Sequence, residues 1–130
     1  MKSLATVLIA LFVTLFAAPA FAEGDAKKGK RVFNKCRACH TLDAGKNRIG
    51  PSLHGMFGRR AGTAPGYKFS KAMKKYGAED GANVIWTPEI FATYIAKPRK
   101  VVKGTKMAFP GLKKKADRDN LLAYLMEATK

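Results

Sequence analysis

Hydrophobic positions in this chain form one long uncharged stretch, then short helical patterns separated by glycine-rich segments. From Asp25 to about Cys36, Val32 and Phe33 lie on one side and Lys27, Lys28, Lys30 and Arg31 largely on the other. This predicts an amphipathic helix with Asp25 as its N-cap. Gly29 falls one turn before Phe33 on the apolar side, where a missing side chain lets a second helix come close. Ser70 to Tyr76 predicts a short helix capped by Ser70 and stopped by Gly77. Thr87-Pro88-Glu89 is a well-formed helix start, with the cap at Thr87 and proline in the first turn; that helix runs to about Ala96 and stops before Pro98. From Asp117 onward, Leu121, Leu122, Tyr124, Leu125 and Met126 predict a final amphipathic helix. No strand pattern, repeat or low-complexity tract is visible, so the expected fold is all-α.

The uncharged stretch stands at the front. Lys2 precedes an apolar run from Leu4 to Phe16, followed by Ala17-Ala18-Pro19-Ala20-Phe21-Ala22. A charged start, an apolar middle and an A-x-A ending predict a secretory signal peptide over residues 1–22, cleaved after Ala22. The nineteen uncharged residues from Leu4 to Ala22 are also long enough to span a bilayer if retained, but Pro19 and the small residues at 20 and 22 favour cleavage. The mature chain, residues 23–130, is then 108 residues long and forms one domain. A core that small commonly needs a metal, a disulfide or another staple.

Between the first two predicted helices the composition turns to Gly45, Asn47, Gly50, Pro51, Ser52, Gly55, Gly58, Gly62, Pro65 and Gly66. Irregular segments of that length are uncommon in compact domains unless something packs beneath them. The candidate for that something is written just upstream, in Cys36-Arg37-Ala38-Cys39-His40. Two cysteines two residues apart, followed at once by histidine, form the attachment signature of a c-type haem. Each thiol adds to one porphyrin vinyl group, and the tether brings His40 against the iron. A thioredoxin-like thiol pair would want a preceding strand, where this sequence looks helical. A structural zinc site would want four ligands, and only His54 remains. In an exported protein two cysteines would ordinarily suggest a disulfide, but the adjacent His40 argues for haem.

A second axial ligand has five candidates: His54, Met56, Met73, Met107 and Met126. Met73 and Met126 fall in predicted helices, where core filling is the expected use. Met107 lies in a loop between two helices, Lys103 to Gly111, which can bend around the far face of the iron. A His/Met pair raises the potential and leaves no open coordination position, which suits electron transfer over oxygen or peroxide chemistry.

Charge adds the matter of partners. Lysine and arginine number 25 against 9 acidic residues, a net +16 over the chain, or about +15 once Lys2 is removed. Such an excess implies attraction to an anionic partner at rates that fall with salt. An exported chain without a nucleic-acid motif does not read as a nucleic-acid binder; acidic protein faces and membrane surfaces fit better.

Taken together, Gly24-Asp25, Gly29, Phe33, Cys36-x-x-Cys39-His40, Gly50-Pro51-Ser52-Leu53-His54-Gly55, Phe57-Gly58-Arg59, Trp86, Tyr94 and Gly104-Thr105-Lys106-Met107 resemble the class I cytochrome c family. The likeness covers nearly the whole chain from Gly24 to Lys130 and is strongest to mitochondrial cytochrome c and the bacterial cytochrome c2 group. It implies a small all-α fold wrapped around one covalent haem c, with first and last helices crossing near Gly29 and Phe33 against Leu121 and Tyr124. It also implies Cys36 and Cys39 as the covalent haem attachments and His40 and Met107 as axial iron ligands. By motif position, Pro51 would accept a hydrogen bond from the His40 ring, which fixes its tautomer. Arg59 and Trp86 would face a haem propionate, Tyr94 and Thr105 would steady the Met107 side, and Phe109 would shield the haem edge. Phe69 stands where the mitochondrial proteins carry a tyrosine, Lys103 replaces a proline beside the Met107 loop, and about six extra residues separate Ala72 from Trp86.

The function so implied is that of a soluble periplasmic one-electron carrier and not an enzyme. Lys35, Arg99, Lys106, Lys113 and Lys114 match the family's docking face. The implied partners are acidic faces of a cytochrome bc-type complex and of a terminal oxidase or photosynthetic reaction centre, met by a monomer that also touches membrane surfaces transiently. Two rivals remain: a haem enzyme or gas binder with an open sixth position, which requires Met107 not to bind, and a haem-free thiol oxidoreductase using Cys36 and Cys39.

Overall fold

The computed structural model describes residues 24–130; the apolar stretch and the expected cleavage after Ala22 lie outside them. Five helices follow in order: α1 (Ala26–Phe33), α2 (Lys71–Gly77), α3 (Pro88–Ala96), α4 (Pro98–Val101) and α5 (Lys115–Ala128). Among the described residues there is no strand, only an isolated antiparallel bridge between Arg60 and Ile85. None of the described helices is long and apolar enough to cross a membrane.

Three helix starts follow from their capping side chains. Asp25, Ser70 and Thr87 each accept a hydrogen bond from the backbone N–H three residues on, at Lys28, Met73 and Ile90, satisfying donors that the first turn leaves without partners. Gly77 is not the stop that its residue type suggests. It is the last residue of α2, with Ala78 as the C-cap, and a Cβ there would strike the Ala61 carbonyl. Its glycine serves a close crossing of chains, not a left-handed turn. Pro98 ends α3 as expected but opens the single turn of α4, since proline is as well suited to a first helical position as it is unsuited to an interior one. The last helix begins at Lys115, two residues before the expected Asp117, with no side-chain cap.

The helix crossing that organises the molecule is α1 on α5. A Cβ on Gly29 would strike the Asn120 carbonyl oxygen and lie 2.7 Å from Tyr124 Cβ, so the two backbones meet where α1 has no side chain. The Asp25 N–H donates to Asn120 Oδ1 at 2.8 Å, and the Phe33 and Tyr124 rings pack at 5.6 Å. Leu121, Leu122 and Leu125 of α5 are completely buried against Phe33, Phe91 and Ile95. Met126 is 38% exposed and is not the core residue its helical position suggested: α5 turns it away from the seam that Leu122 and Leu125 fill. Met73 is buried as expected.

Candidate functional site

Helices alone leave the middle of this molecule hollow. A cavity of about 440 Å³ opens between the Cys36–His40 turn, the glycine-rich segment, α3, α5 and the 105–110 loop. Its size is in the range of small-molecule and cofactor sites.

The chain enters it as α1 unwinds. The N–H groups of Cys39 and His40 both donate to the Cys36 carbonyl at 3.0 Å, a tight turn that puts both sulfurs and the imidazole on one wall. Burial pushes the Cys36 thiol up to about 11. A thiol that resists ionisation is the opposite of what a thiol–disulfide oxidoreductase needs, since its attacking sulfur must be a thiolate. The electronic neutrality of that wall continues at His40, where burial outweighs the Pro51 hydrogen bond and lowers the imidazole from its ordinary value. His40 Nδ1 lies 2.7 Å from the Pro51 carbonyl oxygen. A carbonyl only accepts, so Nδ1 carries the proton and Nε2 is left with its lone pair available to a metal. Gly50 lines the other side of the ring: a Cβ there would collide with His40 Cε1 and stand 2.8 Å from Nδ1 and 2.9 Å from Nε2.

Met107 lies on the same cavity. Its loop is tied at the base by the Leu112 N–H to the Ile95 carbonyl, 2.8 Å, and across the mouth by Lys106 Nζ to the Lys68 carbonyl, 2.8 Å. The Met107 N–H donates to Thr105 Oγ1 at 3.3 Å, and the Tyr94 hydroxyl stands 3.9 Å from Met107 Sδ. Burial raises the Tyr94 phenol, with a hydrogen bond from Thr105 opposing it, so it remains a neutral donor beside the sulfur. The Trp86 and Tyr94 rings meet edge to face at 5.0 Å. Arg59 donates to the carbonyls of His54, at 2.9 Å, and Ser52, at 3.4 Å; these bonds hold it on the cavity wall although burial lowers its pKa.

Of the residues singled out from sequence, Cys36, Cys39, His40, Pro51, Arg59, Trp86, Tyr94, Thr105, Met107 and Phe109 all line this one cavity. Lys35 and Lys106 stand at its wall too, whereas Arg99, Lys113 and Lys114 are exposed elsewhere and do not line it. His54 is half-buried and does not reach the cavity. Met56 and Met73, weighed from sequence as alternative ligands, line it as well, and so do Tyr67 and Arg60, which sequence reasoning passed over. Tyr67 stacks edge to face on Phe69 at 4.7 Å, its hydroxyl donating to the Ile49 carbonyl at 2.8 Å. A phenol thus reaches this region from two residues before Phe69. Its position in a glycine-rich loop offers no periodicity by which to find it.

The wall suits a flat apolar macrocycle. Leu53, Met56, Phe69, Met73, Phe91 and Ile95 line the cavity together with the thiols, the imidazole and the Met107 thioether, and would pack against such a group. Without a group in the middle, a shell this thin has little to pack on. Fold and wall together define the class: small electron-transfer proteins built around a covalent haem.

Comparison with known proteins reaches the same class and narrows it. The cytochrome c family profile matches residues 26–129. Cytochrome c of Cochliobolus lunatus is 46% identical over 112 residues, spanning 85% of this chain and 98% of that protein. Cytochrome c2 of Agrobacterium tumefaciens is 45% identical over 105 residues, 80% of this chain and 92% of that one. The solved structure of cytochrome cH from Methylobacterium extorquens superposes with a TM-score of 0.70 at 41% identity, covering 79% of this chain and 98% of that one. The chain belongs to the cytochrome c family, whose members are electron carriers, not enzymes, and hold one covalently attached haem c with its iron.

Proposed function

We propose that this chain carries its haem on Cys36 and Cys39 through thioether bonds, with His40 Nε2 and Met107 Sδ as the axial iron ligands, and that it shuttles single electrons in the periplasm. Bound there, haem c supplies reversible one-electron chemistry at iron. The remaining work belongs to the protein. Pro51 holds the His40 proton on Nδ1, which keeps Nε2 aimed and makes the imidazole a stronger donor. Tyr94 and Thr105 hold the 105–110 loop so that the Met107 sulfur has one orientation. Arg59 and Trp86, on the cavity wall, would supply positive charge and an N–H donor to the haem propionates, and Phe109 would keep solvent from the haem edge. Held by both His40 and Met107, the iron would offer no open place to oxygen or peroxide.

The observation that carries this reading is the 2.7 Å approach of His40 Nδ1 to the Pro51 carbonyl, in a cavity that also receives Met107. Three methionines line that cavity: Met73 comes from α2 and Met56 is buried in the irregular segment that follows Pro51, whereas Met107 has a hydroxyl, that of Tyr94, beside its sulfur. The signal-like residues 1–22 and the relation to cytochrome c2 support the periplasmic location. The basic surface, Lys35 and Lys106 at the cavity included, supports docking on acidic faces of a cytochrome bc-type complex as donor and of a terminal oxidase or photosynthetic reaction centre as acceptor.

The test is an absorption spectrum of the exported protein, oxidised and reduced, from the visible to the near-infrared. A sharp reduced α-band that survives acid–acetone extraction, with the weak methionine–iron band when oxidised, is expected. Loss of the methionine band in Met107→Ala but not in Met56→Ala identifies the ligand. A spectrum that shifts on adding carbon monoxide to the parent protein would overturn the closed site.

A further inference from the structure

Residues 78–85 form a loop that leaves α2 at Ala78 and returns to deliver Trp86 to the cavity. Its returning limb runs antiparallel to residues 58–61. The Ala61 N–H donates to the Val84 carbonyl at 2.9 Å, the Trp86 N–H to the Arg59 carbonyl at 2.9 Å, and the Gly58 N–H to the Trp86 carbonyl at 2.8 Å. Two cavity residues, Arg59 and Trp86, are therefore registered on each other by backbone bonds. Yet this is a ladder of three bonds with a single bridge, too short to hold on its own.

Backbone bonds tie the loop to α2 and to its own start, from the Ala82 N–H to the Lys75 carbonyl at 3.3 Å, from Asn83 to Ala78 at 3.0 Å and from Val84 to Tyr76 at 3.2 Å. The side chain of Arg60 adds a link between the loop and the 58–61 limb. Its Nη1 donates to the Gly77 carbonyl at 2.8 Å and to the side-chain carbonyl of Asn83. One guanidinium thus grips the loop where it leaves α2 and again where it turns back. Asn83 is the only non-glycine residue among those described with a left-handed backbone, at φ 54°; such a residue persists where its surroundings hold it. Glu79 lies 3.7 Å from Nη2 but is 86% exposed, so this ion pair adds little. Arg60 itself lines the cavity.

We propose, resting on the haem reading, that Arg60 is a positioning residue: by clasping loop 78–85 it keeps the Trp86 limb closed on the cavity and so holds the reduction potential up. Opening that wall admits water, which favours the more highly charged oxidised iron and lowers the potential. Both bonds leave Nη1, in the two fixed in-plane directions of an amino group held rigid by the guanidinium, a geometry that the rotating ammonium of lysine does not reproduce.

Arg60→Lys and Arg60→Gln separate the clasp from the charge. In the haem-loaded protein both variants are expected to keep the absorption spectrum, to exchange the Ala61 and Trp86 backbone hydrogens about tenfold faster, as for loss of a hydrogen bond or two, and to lower the midpoint potential. At a fixed ambient potential the reduced fraction relative to the oxidised falls roughly threefold or more in both. A lowered potential in Arg60→Gln with parent-like behaviour in Arg60→Lys would make charge alone responsible and overturn the clasp. Unchanged potential and exchange in both variants would overturn it as well. A parent protein with no covalent haem band would refute the haem reading instead, leaving the exchange rates to decide the clasp.

Discussion

At Gly50 an added methyl group would press on the His40 ring from 2.8 Å and 2.9 Å, with the imidazole held from the other side by Pro51. Gly50→Ala is therefore expected to displace the imidazole and to weaken or abolish a normal reduced α-band, while Gly45→Ala, with open space around its Cβ position, leaves the spectrum unchanged; absorption spectra of the two variants check this. Tyr94 makes a pH argument. Burial raises its phenol above the ordinary 10.0, so the unfolded chain releases that proton first as pH climbs. Its contribution to stability is intact below about pH 10 and is lost as pH rises toward the folded-state value. Tyr94→Phe is expected to cost about 1 kcal/mol at neutral pH, to lose stability less steeply between about pH 9 and about pH 11, and to weaken the methionine–iron band. Denaturant midpoints against pH check the first two. At this scale the Cys36–His40 run was legible because covalent chemistry demands that spacing. Gly50, Tyr67 and Arg60 were not, since their roles depend on what approaches them from elsewhere in the chain.

Helices were the most legible elements, and the reason is local. Caps and proline starts are satisfied within four residues, so Asp25, Ser70 and Thr87 marked true beginnings. Thr87→Ala leaves the Ile90 N–H without its 3.2 Å partner and is expected to cost about 1 kcal/mol, read as a lowered denaturant midpoint with unchanged slope. Gly29→Ala is a test of a different kind, because the new methyl group meets the Asn120 backbone and Tyr124 Cβ and neither can rotate away. It is expected to cost about 3 kcal/mol or more and to lower the thermal midpoint accordingly. Where local signals conflict the reading was less complete: Gly77 has the residue type of a stop but serves as a close contact with Ala61, and Pro98 ends α3 as expected but also starts α4, which the sequence did not suggest.

For the whole molecule the governing quantity is charge. With a net +16 over the full sequence, electron transfer to an acidic partner is expected to slow steeply as salt rises from about 10 mM to about 200 mM, while the midpoint potential changes little. Stopped-flow oxidation by an acidic redox protein across that range checks it, and a salt-independent rate would remove electrostatic steering from the account. The sequence by itself determined the all-helical class, the haem attachment run, the need for a group at the centre of a small core, and the family. These rest on local periodicity, fixed covalent spacing, chain length and, for the family, the resemblance of short motifs along the chain, none of which depends on how distant segments meet. Only the tertiary structure decided that Met56, Met73 and Met107 share one cavity, that Gly29 and Gly50 are sites of contact, and that Arg60 joins a loop to the cavity wall. Those outcomes are set by packing between segments tens of residues apart, where one carbonyl or ring fills the space another residue leaves, and no window along the chain contains both sides of such a contact.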